Sequence, residues 1–365
     1  MVLRNLHRWL PAVVVAAALC GQTLHAADFA VTKAEDSKDG TCDADCSLRE
    51  AIDAANAAVG SDTISLPAGI YQLKLPNPPG SVPPYSAAND DDTENANVDG
   101  DLDVTDELII NGEGAETTII DGNGLVLANR VFHVDPTAVG ASLTLNGVAV
   151  QGGLTANNGG GIEVIEFGTL NLVDSIVAGN EATGSSGGGV AIDTDSGSVT
   201  IQNSRIEDNK AAFGGGMYSE AVGTLLKNSV IGGNRSSDLG GGLYLDGSAA
   251  EILDTQITDN ISDDDGGGLV TTQVALFMEG PAGDCLVQGN KAGGNGGGIF
   301  TEGDGGTISM DRCRVTGNEA LNDQKGGGIY SESLLTLNEA SIDGNRAEGD
   351  GGGVYCTGQL KISNS

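Results

Sequence analysis

Catalysis and metal binding draw on a short list of side chains, and this chain offers few of them in company. Beyond residue 27 a single histidine remains, His133 in VFHVD. A Ser-His-Asp triad or a multi-histidine zinc centre therefore lacks its material, and His133, set in an apolar strand, reads as a partly buried structural residue. Lyase chemistry on a uronate needs calcium-binding carboxylates beside a base. Arg205, Arg312, Arg314 and Lys227 fall in strand-like stretches without an acidic cluster around them. The sequence singles out no catalytic residue.

Two patterns fit binding better. NANVDGDLDVTD places Asn95, Asn97, Asp99, Asp101, Asp103 and Asp106 in one short stretch, with Asn95, Asn97, Asp99, Gly100 and Asp106 at positions 1, 3, 5, 6 and 12 of an EF-hand-like spacing. Asn stands where Asp is usual at the first position and Asp where Glu is usual at the last, and the flanks read as loop and strand. Such a loop reads either as a solvated acidic insertion or as a site whose ligand would be calcium. The second pattern is aromatic: Tyr218, Tyr244, Phe300, Tyr330 and Tyr355 each sit two places past a Gly-Gly-Gly triplet. Next to an inward apolar column they point outward, as a platform for sugar rings or as a stack that stabilises the scaffold by itself.

The triplets are the key to the elements that carry these residues. They begin at Gly159, Gly187, Gly214, Gly240, Gly266, Gly296, Gly326 and Gly351, at intervals of 25 to 30 residues. Such a period marks an internal repeat. An Asn precedes all but the first (Asn180, Asn209, Asn234, Asn260, Asn290, Asn318, Asn345), and other columns align on it. Three residues earlier stand Val177, Ile206, Ile231, Ile257, Val287, Val315 and Ile342. Five earlier stand Ser175, Ser204, Ser229, Thr255, Cys285, Cys313 and Ala340. Eight earlier stand Leu172, Ile201, Leu226, Ile252, Ala282, Met310 and Leu337. Apolar residues spaced by two, as in SVTIQNSRI, are strands with one buried face. Short strands that meet their own kind about 27 residues later describe an all-β solenoid, a parallel β-helix. Glycine supplies positive φ and room for close stacking at its corner. Asn is expected to tolerate left-handed geometry and to form an amide ladder. The acids of SDDDGGG, Asp263, Asp264 and Asp265, fall in a surface turn of variable length and read as solvated charge.

Three segments follow. Residues 1–27 have a basic start (Arg4, Arg8), an apolar stretch from Leu10 to Cys20 and small residues near Ala26, the pattern of a signal peptide. Residues 28–158 hold the N-terminal cap and first irregular coils, and 159–365 the regular coils. In CSLREAIDAANAA, Ser47 and Glu50 form a capping box for a short helix whose Leu48, Ala51, Ile52 and Ala55 share a face. That helix is expected to plug the open end of the solenoid, where an unpaired edge would invite aggregation. The chain stops at Ser365, in the small column, which raises the expectation of further coils, an anchor or a translocation domain beyond it.

The net charge of −34 excludes nucleic acid as a natural partner. Polyuronates and lipopolysaccharide would be repelled unless divalent cations bridged them, so calcium is the first cofactor to consider. Export fits the cysteines. Cys42 and Cys46, with no histidine nearby, suit a disulfide better than a metal. Cys285 and Cys313 are column neighbours on adjacent repeats, either bridged or two buried thiols. Cys356 has no partner in its column.

CDADCSLREAIDAAN, followed by DTISLPAGIYQL, GDLDVTDELIINGEGAETTIIDG and the triplet repeats, resembles exported bacterial proteins named for a Cys-Ser-Leu-Arg-Glu-Ala motif. The resemblance implies a right-handed parallel β-helix of the pectate-lyase-like superfamily on the cell surface or secreted. GGGIYSES with NRA and NEA is similar to the repeats of polymorphic outer-membrane proteins, which are surface adhesins. The Gly-His-Gly and Arg-Ile-Lys patterns of that superfamily's inverting hydrolases are missing here. The expected function is a surface or secreted module that binds polysaccharide or a neighbouring or host cell. The alternatives are a calcium-dependent polysaccharide lyase or glycoside hydrolase, and a structural stalk.

Overall fold

The computed structural model describes residues 26–75, 97, 100–135, 140–194, 196–247, 249–281, 284–303 and 305–365. The signal-peptide expectation thus lies, for residues 1–25, outside the described residues. The rest winds into a parallel β-solenoid. One coil runs through Thr169–Val173, Ile176–Ala178, Glu181–Ala182 and Val190–Asp193 before the next begins at Ser198–Gln202. Its strands join four sheets of twelve, ten, eight and ten strands in that order. Every pairing is parallel, and each residue meets its counterpart one coil on: Leu170 pairs with Val199 and Leu172 with Ile201. These four are buried while Thr169, Asn171 and Val173 between them are not. Burying one such row stabilises little by itself, and stacking merges the rows into one apolar column.

The corners explain the sequence columns. After the first strand comes a left-handed residue (Asp174, Asn203, Asn228, Asp254), then the small column, in which the Ser175 hydroxyl donates to Val173 O at 2.8 Å. At the second corner the left-handed residue is not the ladder Asn, as expected, but the residue before it: Gly179, Asp208, Gly233, Asp259 and Gly289. The Asn side chain is needed elsewhere. Asn260 Nδ2 donates to Asn290 Oδ1 at 2.9 Å and to Ile231 O at 2.9 Å, and its Oδ1 accepts from the Nδ2 and backbone N of Asn234, both at 3.0 Å. Each amide is thereby satisfied inside the core. The ladder runs unbroken from Asn180 to Asn345.

At the third corner the first glycine of each triplet has positive φ, +67° at Gly266. The other two have none, yet a Cβ on Gly267 would lie 2.4 Å from Gly297 O and one on Gly268 2.6 Å from Gly298 O. Successive triplets stack backbone on backbone. One alignment is corrected by the register: the core partner of Ile252 and Met310 is Met278, not Ala282, which lies outside the described residues. An enlarged turn between Ala275–Glu279 and Leu286–Gln288 shifts the count there.

At the N-terminal end, helix Leu48–Ala57 packs on the first strands with Leu48, Ala51, Ile52 and Ala55 buried, and Ser47 and Glu50 close the capping box. The disulfide Cys42–Cys46 ties the loop before it, and a second, Cys285–Cys313, joins neighbouring coils. Cys356 is free. Among the described residues no helix is long and apolar enough to cross a membrane.

Candidate functional site

The eight strands that follow the triplets join Leu102–Val104 and Phe132–Val134 in one ten-stranded sheet, and its outward face carries the site candidates. One outward ladder of that sheet reads, through successive register pairs, Asp103, His133, Glu163, Ala191, Tyr218, Tyr244, Val270, Phe300, Tyr330 and Tyr355. All five aromatic candidates lie on it. Tyr218 stacks on Tyr244 with centroids 5.3 Å apart; Phe300, Tyr330 and Tyr355 stack at 5.2 and 5.3 Å. Buried Val270 separates the two groups. The rings turn their faces to one another along the stack and their edges to the surface. Phe213 meets Tyr244 edge-on, and Lys325 Nζ lies 4.4 Å from the centre of the Tyr355 ring.

The acids of SDDDGGG flank this ladder. Asp263 and Asp264 are exposed, whereas Asp265 is half-buried and accepts a hydrogen bond from Asn295 N. Burial, with the charges of Asp264 and Glu302, holds its carboxyl above the usual range against that bond.

Two residues past each position of the first ladder a second outward row stands, acidic where the first is aromatic: Asp193, Glu220, Asp246, then Thr272, Glu302 and Glu332, with Thr272 and Glu302 register partners and the N–H groups of Glu220, Asp246 and Glu332 bonded to the preceding coil just beyond the strand ends. A cleft of about 300 Å³ opens here, lined by Glu166, Phe167, Asp193, Thr194, Ser196 and Glu220. Phe167 is 50% exposed at its edge. Burial together with the carboxylates of Asp193 and Asp246 raises Glu220 above the ordinary range, against the Tyr218 hydroxyl that donates to it. Desolvation likewise raises Asp246. Carboxylates of like sign on successive rungs cannot all ionise freely.

Of the calcium-loop residues, Asn95 and Asp99 lie outside the described residues. Asn97 is buried, its backbone N donating to Asp103 Oδ2 at 3.0 Å and its Oδ1 accepting from Asp103 N at 2.7 Å. Asp101 and Asp103 come together with His133, their ligand atoms within 4.8 Å of one another and all three residues buried. Asp106 is turned to its own neighbour, accepting from Glu107 N at 2.8 Å. His133 is thus buried among charges rather than in an apolar setting. Arg130 Nη2 is 2.8 Å from Glu163 Oε2 and its Nη1 3.6 Å from Asp101 Oδ2.

The sequence reading missed Glu163, Arg130, Phe167 and the acidic ladder. A signal existed for two of them: Glu163 stands two places past its triplet, as the tyrosines do, and Asp193, Glu220, Asp246, Glu302 and Glu332 all stand four places past theirs.

Residues 120–280 match the family model described as the right handed beta helix region. The protein is a right-handed parallel β-helix. Within this β-helix, residues 284–302 and 339–357 each match the Chlamydia polymorphic membrane protein repeat, which points to a surface or outer-membrane location. No curated protein and no solved structure matches the chain.

Proposed function

We propose that this β-helix is a surface or exported carbohydrate-binding, adhesin-like module whose contact face is the outer side of the ten-stranded sheet. The observation that carries the reading is the cleft in which exposed Phe167 stands beside Asp193 and Glu220. An aromatic face for the apolar side of a pyranose, with carboxylates to accept from its hydroxyls, is the usual chemistry of a sugar subsite. The stacked ladder continues the face along the axis, offering ring edges and the hydroxyls of Tyr218, Tyr244, Tyr330 and Tyr355. Strong negative charge selects neutral or amino sugars; calcium would be required only for polyanions.

Binding to a panel of neutral, amino and uronic polysaccharides, with and without calcium, tests this. Phe167→Ala is expected to weaken the best ligand about tenfold, the loss of one stacking contact. The double variant Tyr244→Ala, Tyr330→Ala extends the test to the ladder, and retention unchanged in both variants would sink the reading. Retention of no polysaccharide would favour a stalk. A second reading, a lyase or glycoside hydrolase on the same scaffold, rests on one observation: Glu220 is held protonation-prone beside Asp193, as a general acid must be. Release of reducing ends that Glu220→Gln abolishes would favour it.

A further inference from the structure

We propose that the chain is cut between Ala26 and Ala27, and that the ammonium group so created pairs with the buried carboxylate of Asp62 and closes the first rung of the solenoid. The proposal rests on the signal-peptide pattern of residues 1–27 and is independent of the sugar-binding face.

The first observation is a carboxylate out of place. Asp62 opens the strand Asp62–Leu66, is 0% exposed and shares the buried face with Ile64 and Leu66. Its counterparts in the coils that follow are Leu108, Leu143, Leu170 and Val199, all buried. An aspartate thus heads a column that continues as leucine and valine. Among the described residues its Oδ2 has no hydrogen-bond partner, and no Lys, Arg or His side chain forms an ion pair with it. A buried carboxylate is costly unless a cation and hydrogen bonds compensate it.

The second observation is the group that does reach it. Ala27 N donates to Asp62 Oδ1 at 2.6 Å. Thr63 N in turn donates to Ala27 O at 2.8 Å, which seats Ala27 opposite Asp62, one residue before the register pair of Asp28 and Thr63. As a peptide nitrogen, Ala27 N has a single proton to give, and Oδ2 is left unmet. As a terminal ammonium, the same atom brings three protons and a positive charge, enough to serve both oxygens.

This contact also selects the bond. Alanine precedes the cut whether it falls after Ala26 or after Ala27, and neither Leu24 nor His25, two places before them, is small, so the cleavage pattern by itself does not choose. Cleavage after Ala27 would delete the nitrogen that meets Asp62; cleavage after exposed Ala26 keeps it. In that hydrolysis the C–N bond breaks, the oxygen of one water forms the carboxylate of Ala26, and both of its protons finish on the nitrogen of Ala27. Before the cut the first rung buries a charge without a counterion. Afterwards the strand Asp28–Ala30, the edge of the twelve-stranded sheet, is clamped in place. Closure of the capped end is thereby coupled to removal of the signal peptide.

Two measurements test this. The chain secreted from a bacterial host with its own signal peptide is read by intact mass and N-terminal sequencing. Ala27 is the expected first residue, and any other overturns the cut. The chain made to begin at Ala27 is then compared with one begun at Ala26 and acetylated there, in which Ala27 N is again an amide. The free ammonium should slow hydrogen exchange in Asp62–Leu66 at least about tenfold and raise the thermal midpoint. Asp62→Asn should remove most of that difference, as a double-mutant cycle requires. Should Asp62→Asn fail to fold, Asp62→Leu, which carries on the apolar column, serves the same cycle. No difference between the two chains, or one equally large in the Asp62 variants, overturns the ion pair.

Discussion

At Asp103, His133 and Glu163 the outward ladder of the ten-stranded sheet holds buried charge, whereas from Tyr218 to Tyr355 the same ladder holds stacked rings. The two ends obey one geometry, about 4.8 Å between rungs, and answer it in opposite ways. A ring gains from meeting its own kind one rung away. A carboxylate loses by it, so the charged end must change residue type at every rung and draw in Arg130 from beside the strand. This is why the coils there are irregular in sequence while those beyond Gly159 repeat. The acidic ladder shows what happens when like charges are stacked after all: Glu220, desolvated and beside the carboxylates of Asp193 and Asp246, shifts towards the protonated form.

Stacking is strictest at the glycine triplets. Gly267→Ala places a Cβ 2.4 Å from two backbone oxygens of the next coil, and should cost on the order of 4 kcal/mol or abolish soluble folded protein. Gly40→Ala, in the N-terminal region, meets nothing within 4 Å at a φ of +98° and should cost about 1 kcal/mol. Denaturant midpoints of the two variants measure the contrast.

The disulfides give the next largest difference. Cys285 and Cys313 enclose 28 residues and Cys42 and Cys46 only 4, so chain entropy predicts losses of about 3.5 and about 2 kcal/mol when each pair is replaced by Ala. Equal losses would mean that local packing, rather than loop closure, sets the value.

A smaller effect separates the regions by pH. In the cap, burial works to raise Asp36 and Glu50, but Arg49 and backbone N–H groups outweigh it at Asp36, as the Ser47 and Asp39 N–H groups do at Glu50, and both sit below their ordinary values. Their contribution is fully present above about pH 4 and is lost as pH falls through the folded values. Glu220, Asp246 and Asp265 are raised, so stability in the repeats falls as pH rises from about 4 through their folded values. Hydrogen exchange resolved by region should show the repeats gaining protection between pH 7 and about 4.5 and the cap losing it below about 4. Protection that moves in parallel in both regions would remove the distinction.

Sequence pattern carried the solenoid a long way, because each coil repeats the demands of the last. The triplets, the Asn column and the alternation of Leu170 and Leu172 are local signatures of stacking. The pattern slipped at Ala282, where a longer turn displaced the count and only the register exposes Met278 as the core residue. In the Asn column it found the amide ladder but set the left-handed position one residue late, because the two positions are adjacent and Asn suits both. Around His133 it reached least far. Asp103, Arg130, His133 and Glu163 stand up to 60 residues apart, in coils that share no motif, and nothing in the local sequence states that they meet.

All of these rungs are held by hydrogen bonds that run along the solenoid axis, from Gly267 N to Gly296 O and from Asn260 to Asn290 among them. Tension applied between the two ends loads the rungs in series, so the weakest gives first and the others are spared. Such a rod parts coil by coil, like a zipper pulled at one end, and does not yield by sliding. The bridge between Cys285 and Cys313 then acts as a mechanical stop: it spans one rung, and a peel that reaches it must halt or pass through a covalent bond.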